Sequence, residues 1–133
     1  MEPSFLKLYE ALIDMVNSLG VEAYSASQEV ENAQMPIARI QLLNGNSTGQ
    51  YHTARVYSYP FQIDVVTEQN KLAQGLSLAY QVMEGCRTLS VEGYQAYLES
   101  DPSLSSMVDS STNRILNRQI IRVSYDVVEG TAY

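Results

Sequence analysis

The 133-residue chain has no tryptophan, one cysteine, one histidine and two phenylalanines. Each scarcity excludes a class of chemistry. Cys86, alone, can form no internal disulfide and no thiolate zinc site. His52 sits beside a turn, between Tyr51 and Thr53, and reads as a solvated loop side chain rather than a catalytic base. There is no G-x-S-x-G elbow, no phosphate-loop glycine pattern and no H-E-x-x-H. No run approaches the roughly 20 apolar residues of a membrane span. The opening MEPSFLKLYE has neither a basic start nor a continuous apolar stretch, so the expectation is a soluble chain made in a cytoplasm, with no membrane partner. Bases are scarce too: 8 against 15 acids, a formal net charge of −7. Phosphate backbones repel such a chain, which disfavours general nucleic-acid binding.

What is present is a folding pattern. The hydrophobic share of 45% suits one globular domain over 1–133 with a real core. Ten tyrosines dominate the aromatics. Tyr suits a half-wet sheet face, and its apolar ring with a polar tip also suits protein interfaces.

Phe5, Leu8, Leu12, Met15, Val16 and Leu19 recur at helical spacing between Pro3 and Gly20, predicting a helix over Ser4–Leu19. A short edge strand is expected near Val21–Ser25. Pro36 opens a strand, Ile37–Leu43, in which Ala38, Ile40 and Leu42 alternate with Arg39 and Gln41. The run Asn44–Gln50 reads as a turn by composition. A long strand follows over Arg55–Val66, with Tyr57, Tyr59, Phe61, Ile63 and Val65 on one face and Ser58, Gln62 and Asp64 on the other. The two strands and their loop read as a hairpin with an extended tip.

A second helix is predicted over Gln69–Arg87, its stripe formed by Leu72, Leu76, Ala79, Met83 and Cys86. Gly75 and Gly85 weaken it locally or admit another backbone. Tyr94, Ala96 and Leu98 alternate with Gln95, Tyr97 and Glu99, as a strand would, and turns are expected at Asp101-Pro102 and Asp109–Asn113. The last strand spans Ile115–Val128, with Gln119, Ile121, Val123, Tyr125 and Val127 on one face. The expected fold is α+β, in the order helix, strand, strand, helix, strand, strand. About four antiparallel strands carry two helices on one face. The other face, bearing Arg, Gln, Ser and Asp, is either wet or an interface.

No catalytic residue, metal site or cofactor is expected. The neighbouring acids Glu29/Glu31 and Glu99/Asp101 read as solvated loop residues. The one patterned charge set is Arg114, Arg118 and Arg122, which share a strand face at steps of about 13 Å with Leu116 and Ile120 between them. Arg is the cation best suited to interfaces, because its planar fork pairs carboxylates in two places. An ordinary wet face with intrachain ion pairs accounts for the set equally well. The N-terminal third offers acidic partners: up to Met35 there are six acids and one base.

The opening helix Leu12–Gly20 (LIDMVNSLG), Met35-Pro36-Ile37-Ala38-Arg39-Ile40 before a polar hairpin, Tyr59-Pro60-Phe61-Gln62-Ile63-Asp64-Val65-Val66 running into the second helix, and a last strand near the C-terminus together resemble the tail-completion or tail-terminator proteins of long-tailed phages. The resemblance covers most of the chain. It implies an α+β subunit that forms a ring of six at the head-proximal end of the tail tube. Such a ring stops tube growth and presents a docking surface to the head-side connector, while DNA passes through its lumen without being read. Its partners would be copies of itself, the tail tube protein and the connector, and its place the virion tail. A negative lumen would let DNA slide. A head-to-tail ring needs two patches per subunit. The residue pattern nominates the Arg114/Arg118/Arg122 face for one. The hairpin tip, with Asn44, Gly45, Asn46, Gln50, Tyr51 and His52, is nominated for the other. Glu at both 118 and 122 is expected to leave the fold intact and abolish assembly. The competing readings are an acidic adaptor or immunity-type protein binding one basic partner, a head-side completion protein, and a small enzyme whose carboxylates meet in the fold.

Overall fold

The computed structural model describes residues 3–25, 34–44, 46–50, 54–110 and 114–130, with the backbone alone for 46–50, 54 and 130. Helix α1 spans Ser4–Ser18 and α2 Leu72–Arg87. The strands are β1 (Glu22–Ser25), β2 (Ile37–Leu42), β3 (Asn46–Gln50), β4 (Ala54–Glu68), β5 (Gln95–Leu98), β6 (Ser103–Asp109) and β7 (Leu116–Gly130).

All seven strands join one sheet in the order β1-β2-β4-β7-β5, with β3 added on β4 and β6 on β7. The fold is α+β. The expected four antiparallel strands are corrected to seven among the described residues, and the sheet is mixed because β1 runs parallel to β2. Two of the extra strands are polar. β3 falls inside the run expected to be a turn: it pairs with the start of β4, Gln50 opposite Arg55, so the chain reverses between those two residues. Asn, Ser and Gly there suggested a turn because they carry no apolar period, but ladder bonds come from the backbone and do not need one. β6 was missed for the same reason, since most of its residues are exposed on both faces.

The long strands match expectation closely. β4 and β7 are antiparallel along their whole lengths, from Ala54↔Gly130 to Glu68↔Leu116. Odd-numbered residues of both point to one face: Phe61, Ile63, Val65, Ile121 and Val127 are fully buried there. That face carries both helices, and Leu8, Leu12 and Val16 of α1 share its core with Ala79, Val82 and Cys86 of α2. The opposite face holds a smaller apolar cluster, Ile37, Val66 and Leu116, with Tyr24 and Met35 against it.

The stripe of α2 is rotated from expectation. Gly75, Ala79, Val82 and Cys86 face the sheet, while Leu72 and Leu76 are 45% and 41% exposed. The small residues decide this, because they let the helix lie close. A Cβ on Gly75 would meet Thr67 Oγ1 at 2.9 Å, and one on Gly85 would meet Met15 of α1. Asn117 Nδ2 donates to the carbonyls of Glu68 (2.9 Å) and Gln69 (3.0 Å), fixing the turn from β4 into α2. Tyr125 Oη donates to the Cys86 carbonyl at 2.8 Å and ties the end of α2 to β7.

Burial pushes the Cys86 thiol up from 9.0 to about 11, and burial beside Cys86 raises the Tyr125 phenol as well. Both groups are thus held neutral in the fold and ionise more readily in the unfolded chain. Their contribution is complete below pH 9 and is lost as the pH rises towards 11, by about 2 kcal/mol for the thiol. Urea unfolding from pH 8 to 11 should show this decline, and Cys86→Ala should flatten it; an unchanged slope would refute the assignment. Gly75→Val is expected to cost about 1–3 kcal/mol by overpacking against Thr67, read from the same urea midpoints.

Candidate functional site

The sheet face away from the helices is where polar chemistry concentrates. The register of β2, β4 and β7 brings it together. Arg39 lies opposite Asp64, Gln41 opposite Gln62, and Gln62 in turn opposite Arg122. All sit at the outward positions of strands whose other positions are core, so the alternation that builds the core also builds this face. Arg39, Gln41, Gln62, Asp64 and Arg118 line a hollow of about 300 Å³.

A connected network runs across it. Arg118 Nη1 donates to Asp64 Oδ2 at 2.9 Å and Nη2 to Asp109 Oδ2 at 2.6 Å, bridging β4 and β6 from β7. Gln62 Nε2 donates to Asp64 Oδ1 at 3.1 Å, and Arg122 Nε donates to Gln62 Oε1 at 3.3 Å. Arg114 pairs with Glu68. The three arginines nominated from sequence therefore differ in kind. Arg118 is a mostly buried bridge between two carboxylates, Arg114 closes a part-exposed ion pair just before β7, and Arg122 is exposed. Arg122 also lines a second shallow hollow together with Glu99 and Asp101. Leu116, expected between the arginines, is buried in the small outer cluster, while Ile120 is half-buried.

Of the hairpin-tip residues, Asn44 is exposed at the end of β2, and Asn46 and Gln50 are the first and last residues of β3. Gly45, Tyr51 and His52 lie outside the described residues, as do Glu29 and Glu31. The other acid pair is spent locally: Glu99 accepts from Ser58 Oγ at 3.1 Å, and Asp101 from Arg87 Nε at 3.4 Å. Among the described residues no three His, Cys, Asp or Glu side chains are placed to hold a metal. No described helix is long and apolar enough to cross a membrane.

Sequence reasoning missed Asp64 and Asp109 as partners of Arg118. The signal for Asp64 was its outward position beside Gln62 on an otherwise apolar strand, where a buried carboxylate needs a cation. Gln119 was expected among the core residues and is fully buried, but its amide has no hydrogen-bond partner among the described residues, nor has the Thr67 hydroxyl.

No family model and no curated protein matches the chain. A solved chain 14% identical to it superposes with a TM-score of 0.56, over 97% of this chain and 94% of that one. A likeness at that identity shows the fold alone.

The network separates two variants that the sequence pattern would group. Arg118→Ala leaves Asp64 and Asp109 without their cation and is expected to cost roughly 2–4 kcal/mol, between the values for surface and buried pairs. Arg118→Glu would be worse, so the expectation that Glu at 118 and 122 spares the fold is withdrawn for 118. Arg122→Glu, exposed and weakly bonded, should change stability by less than about 0.5 kcal/mol. Urea melts of the single variants check both; equal costs would refute the distinction.

Proposed function

We propose that this chain is a structural subunit of a phage or prophage tail, capping the head-proximal end of the tail tube as a ring and offering the surface on which the head-side connector docks. The observation that carries this reading is the outer sheet face. Among the described residues no helix covers it, and its polar side chains are held in place by Arg118 rather than left to move. A preorganised polar face costs little further ordering when a protein docks on it. Arg122, exposed at the margin of that network, is the side chain best placed for a partner carboxylate. The polar end of the β3/β4 pair, with Asn44 at its base, supplies a second contact to the tube or a neighbour. The resemblance of the sequence to tail-terminator proteins supplies the specific assembly, with copies of itself, the tail tube protein and the connector as partners. A subunit of net charge −7 suits a lumen through which DNA slides. The work is done by surfaces, without a catalytic step.

Native mass over a wide concentration range, with and without divalent cations, and imaging of the largest species test the reading. Closed rings of about six subunits with an open centre are expected, and Arg122→Glu should weaken them or their docking while leaving the fold alone. Compact species with no lumen under every condition, and no binding to tail tubes, would sink it. A monomer that captures one basic protein would point to the adaptor reading instead.

A further inference from the structure

Strand β6 is an unguarded edge. One side of it pairs with β7, and among the described residues no strand pairs with the other. Exposed edges are usually blunted by a lysine, a proline, a bulge or a covering loop. β6 runs Ser-Leu-Ser-Ser-Met-Val-Asp with no Lys or Pro, and its register with β7 is unbroken. The far edge of the sheet is different. β1 is four residues long, and the Ala23 N–H is taken by Asn17 Oδ1 at 3.0 Å.

The unguarded edge is also apolar on the helix side. Leu104 and Val108 lie opposite Ile121 and Asn117, on the face that carries the helices, and are 43% and 63% exposed. α2 stands beside them over β4 and β7. Leu72 and Leu76, a helical turn apart, occupy the flank of α2 opposite Gly85, and Gly85 is the residue that meets Met15 of α1. That flank therefore looks away from α1 and along the sheet towards β6. An open strand edge and exposed apolar side chains thus occur together on the helix side of β6.

We propose that a second copy of this chain docks there, its β6 adding antiparallel to this β6 about a two-fold axis. The strand is complementary to itself. A two-fold axis at Ser106 sets Leu104 against Val108 of the second copy on the helix side. On the outer side it sets Ser105 against Met107, and Ser103 against Asp109. No like charges face each other across the pair. Asp109, the one ionised side chain of the strand, is already held by Arg118 at 2.6 Å, so pairing buries no bare charge. The two sheets become one with the helices on the same side, and Leu72 and Leu76 of both copies close over the Leu104–Val108 pairs. Backbone bonds set the register, and apolar burial supplies the driving force. The joint does not depend on the ring reading: a pair can form without any ring, and a head-to-tail ring can close through other patches.

Cross-linking and charge substitution test it. Ser106→Cys should form a disulfide-linked dimer on mild oxidation. Ser103→Cys should not, because the two copies of that residue would lie about 20 Å apart. Cys86 is buried and does not compete. Leu104→Lys with Val108→Lys should weaken self-association by roughly a hundredfold or more while leaving the melting curve unchanged at dilutions where the wild type is monomeric, since both side chains are exposed. Three results would each overturn the proposal. They are a wild-type chain that stays monomeric at all concentrations, a lysine variant that associates like wild type, and equal cross-linking at 103 and 106. The third result, seen in a Ser106→Cys variant that still forms open-centred rings, would overturn the two-fold joint and leave the ring reading standing.

Discussion

The antiparallel pairing of β4 with β7 is the constraint from which the rest of the molecule follows. It is unbroken from Ala54↔Gly130 to Glu68↔Leu116, and both strands are internal to the sheet. Two internal strands in fixed register sort every side chain they carry to one face or the other. Phe61, Ile63, Val65, Ile121, Val123 and Tyr125 go to the helix side as a consequence, and Gln62, Asp64, Arg118 and Arg122 go to the other. A slip of one residue in either strand would bury Arg118 under α2 and expose Ile121, and for that reason the register is strongly specified. The helices then have no freedom of side. α1 and α2 cover the one face with enough apolar area to bury them, and the close approach of α2 at Gly75 fixes where along the strands it lies.

Elements with one buried face were legible in the sequence, and elements with none were not. β4 and β7 read correctly to within a few residues because burial on one side imposes a period of two. α1 read correctly because Leu8, Leu12 and Val16 recur on one stripe. β3 carries no apolar period, so Asn44–Gln50 looked like a turn, and β6, exposed along most of its length, gave no strand signal between the turns expected at Asp101-Pro102 and Asp109–Asn113. The stripe of α2 was misplaced for a related reason. Hydrophobicity nominated Leu72 and Leu76 along with Ala79 and Cys86, which are buried as expected, but the contact is chosen by how near a helix can come, and that favours Gly75 over the two leucines. The outer-face network was half legible. The four-residue spacing of Arg114, Arg118 and Arg122 was visible, but their partners Glu68, Asp64 and Asp109 lie 46, 54 and 9 residues away. Register brings them together, and the chain order of the residues gives no sign of it.

Charge patterning alone therefore overstates how much of the arginine face is open to a partner. A cation close to two carboxylates is committed to the fold, and recruiting it for a partner would uncover both acids. Arg118 sits in that position and Arg122 does not, although they are one turn of the pattern apart. Arg118 acts on function through geometry: it ties β6 to β4 across β7 and keeps the hollow between Arg39 and Gln62 in shape. It also anchors the strand whose other edge is open. The network on the outer face and the edge at β6 are thus mechanically linked through Asp109.

The two surfaces point in different directions, and that bears on what the subunit can do at once. A partner on the outer face would approach along the sheet normal and be recognised by charge. A partner on β6 would approach within the plane of the sheet and be recognised by backbone register and apolar fit. Neither approach blocks the other. The first interaction weakens with salt, because it rests on exposed charge; the second does not, because it rests on apolar burial and neutral hydrogen bonds. The two surfaces are therefore compatible with two partners at once. Among the described residues, a sheet with helices on one face and a strand edge open at β6 keeps the two surfaces apart.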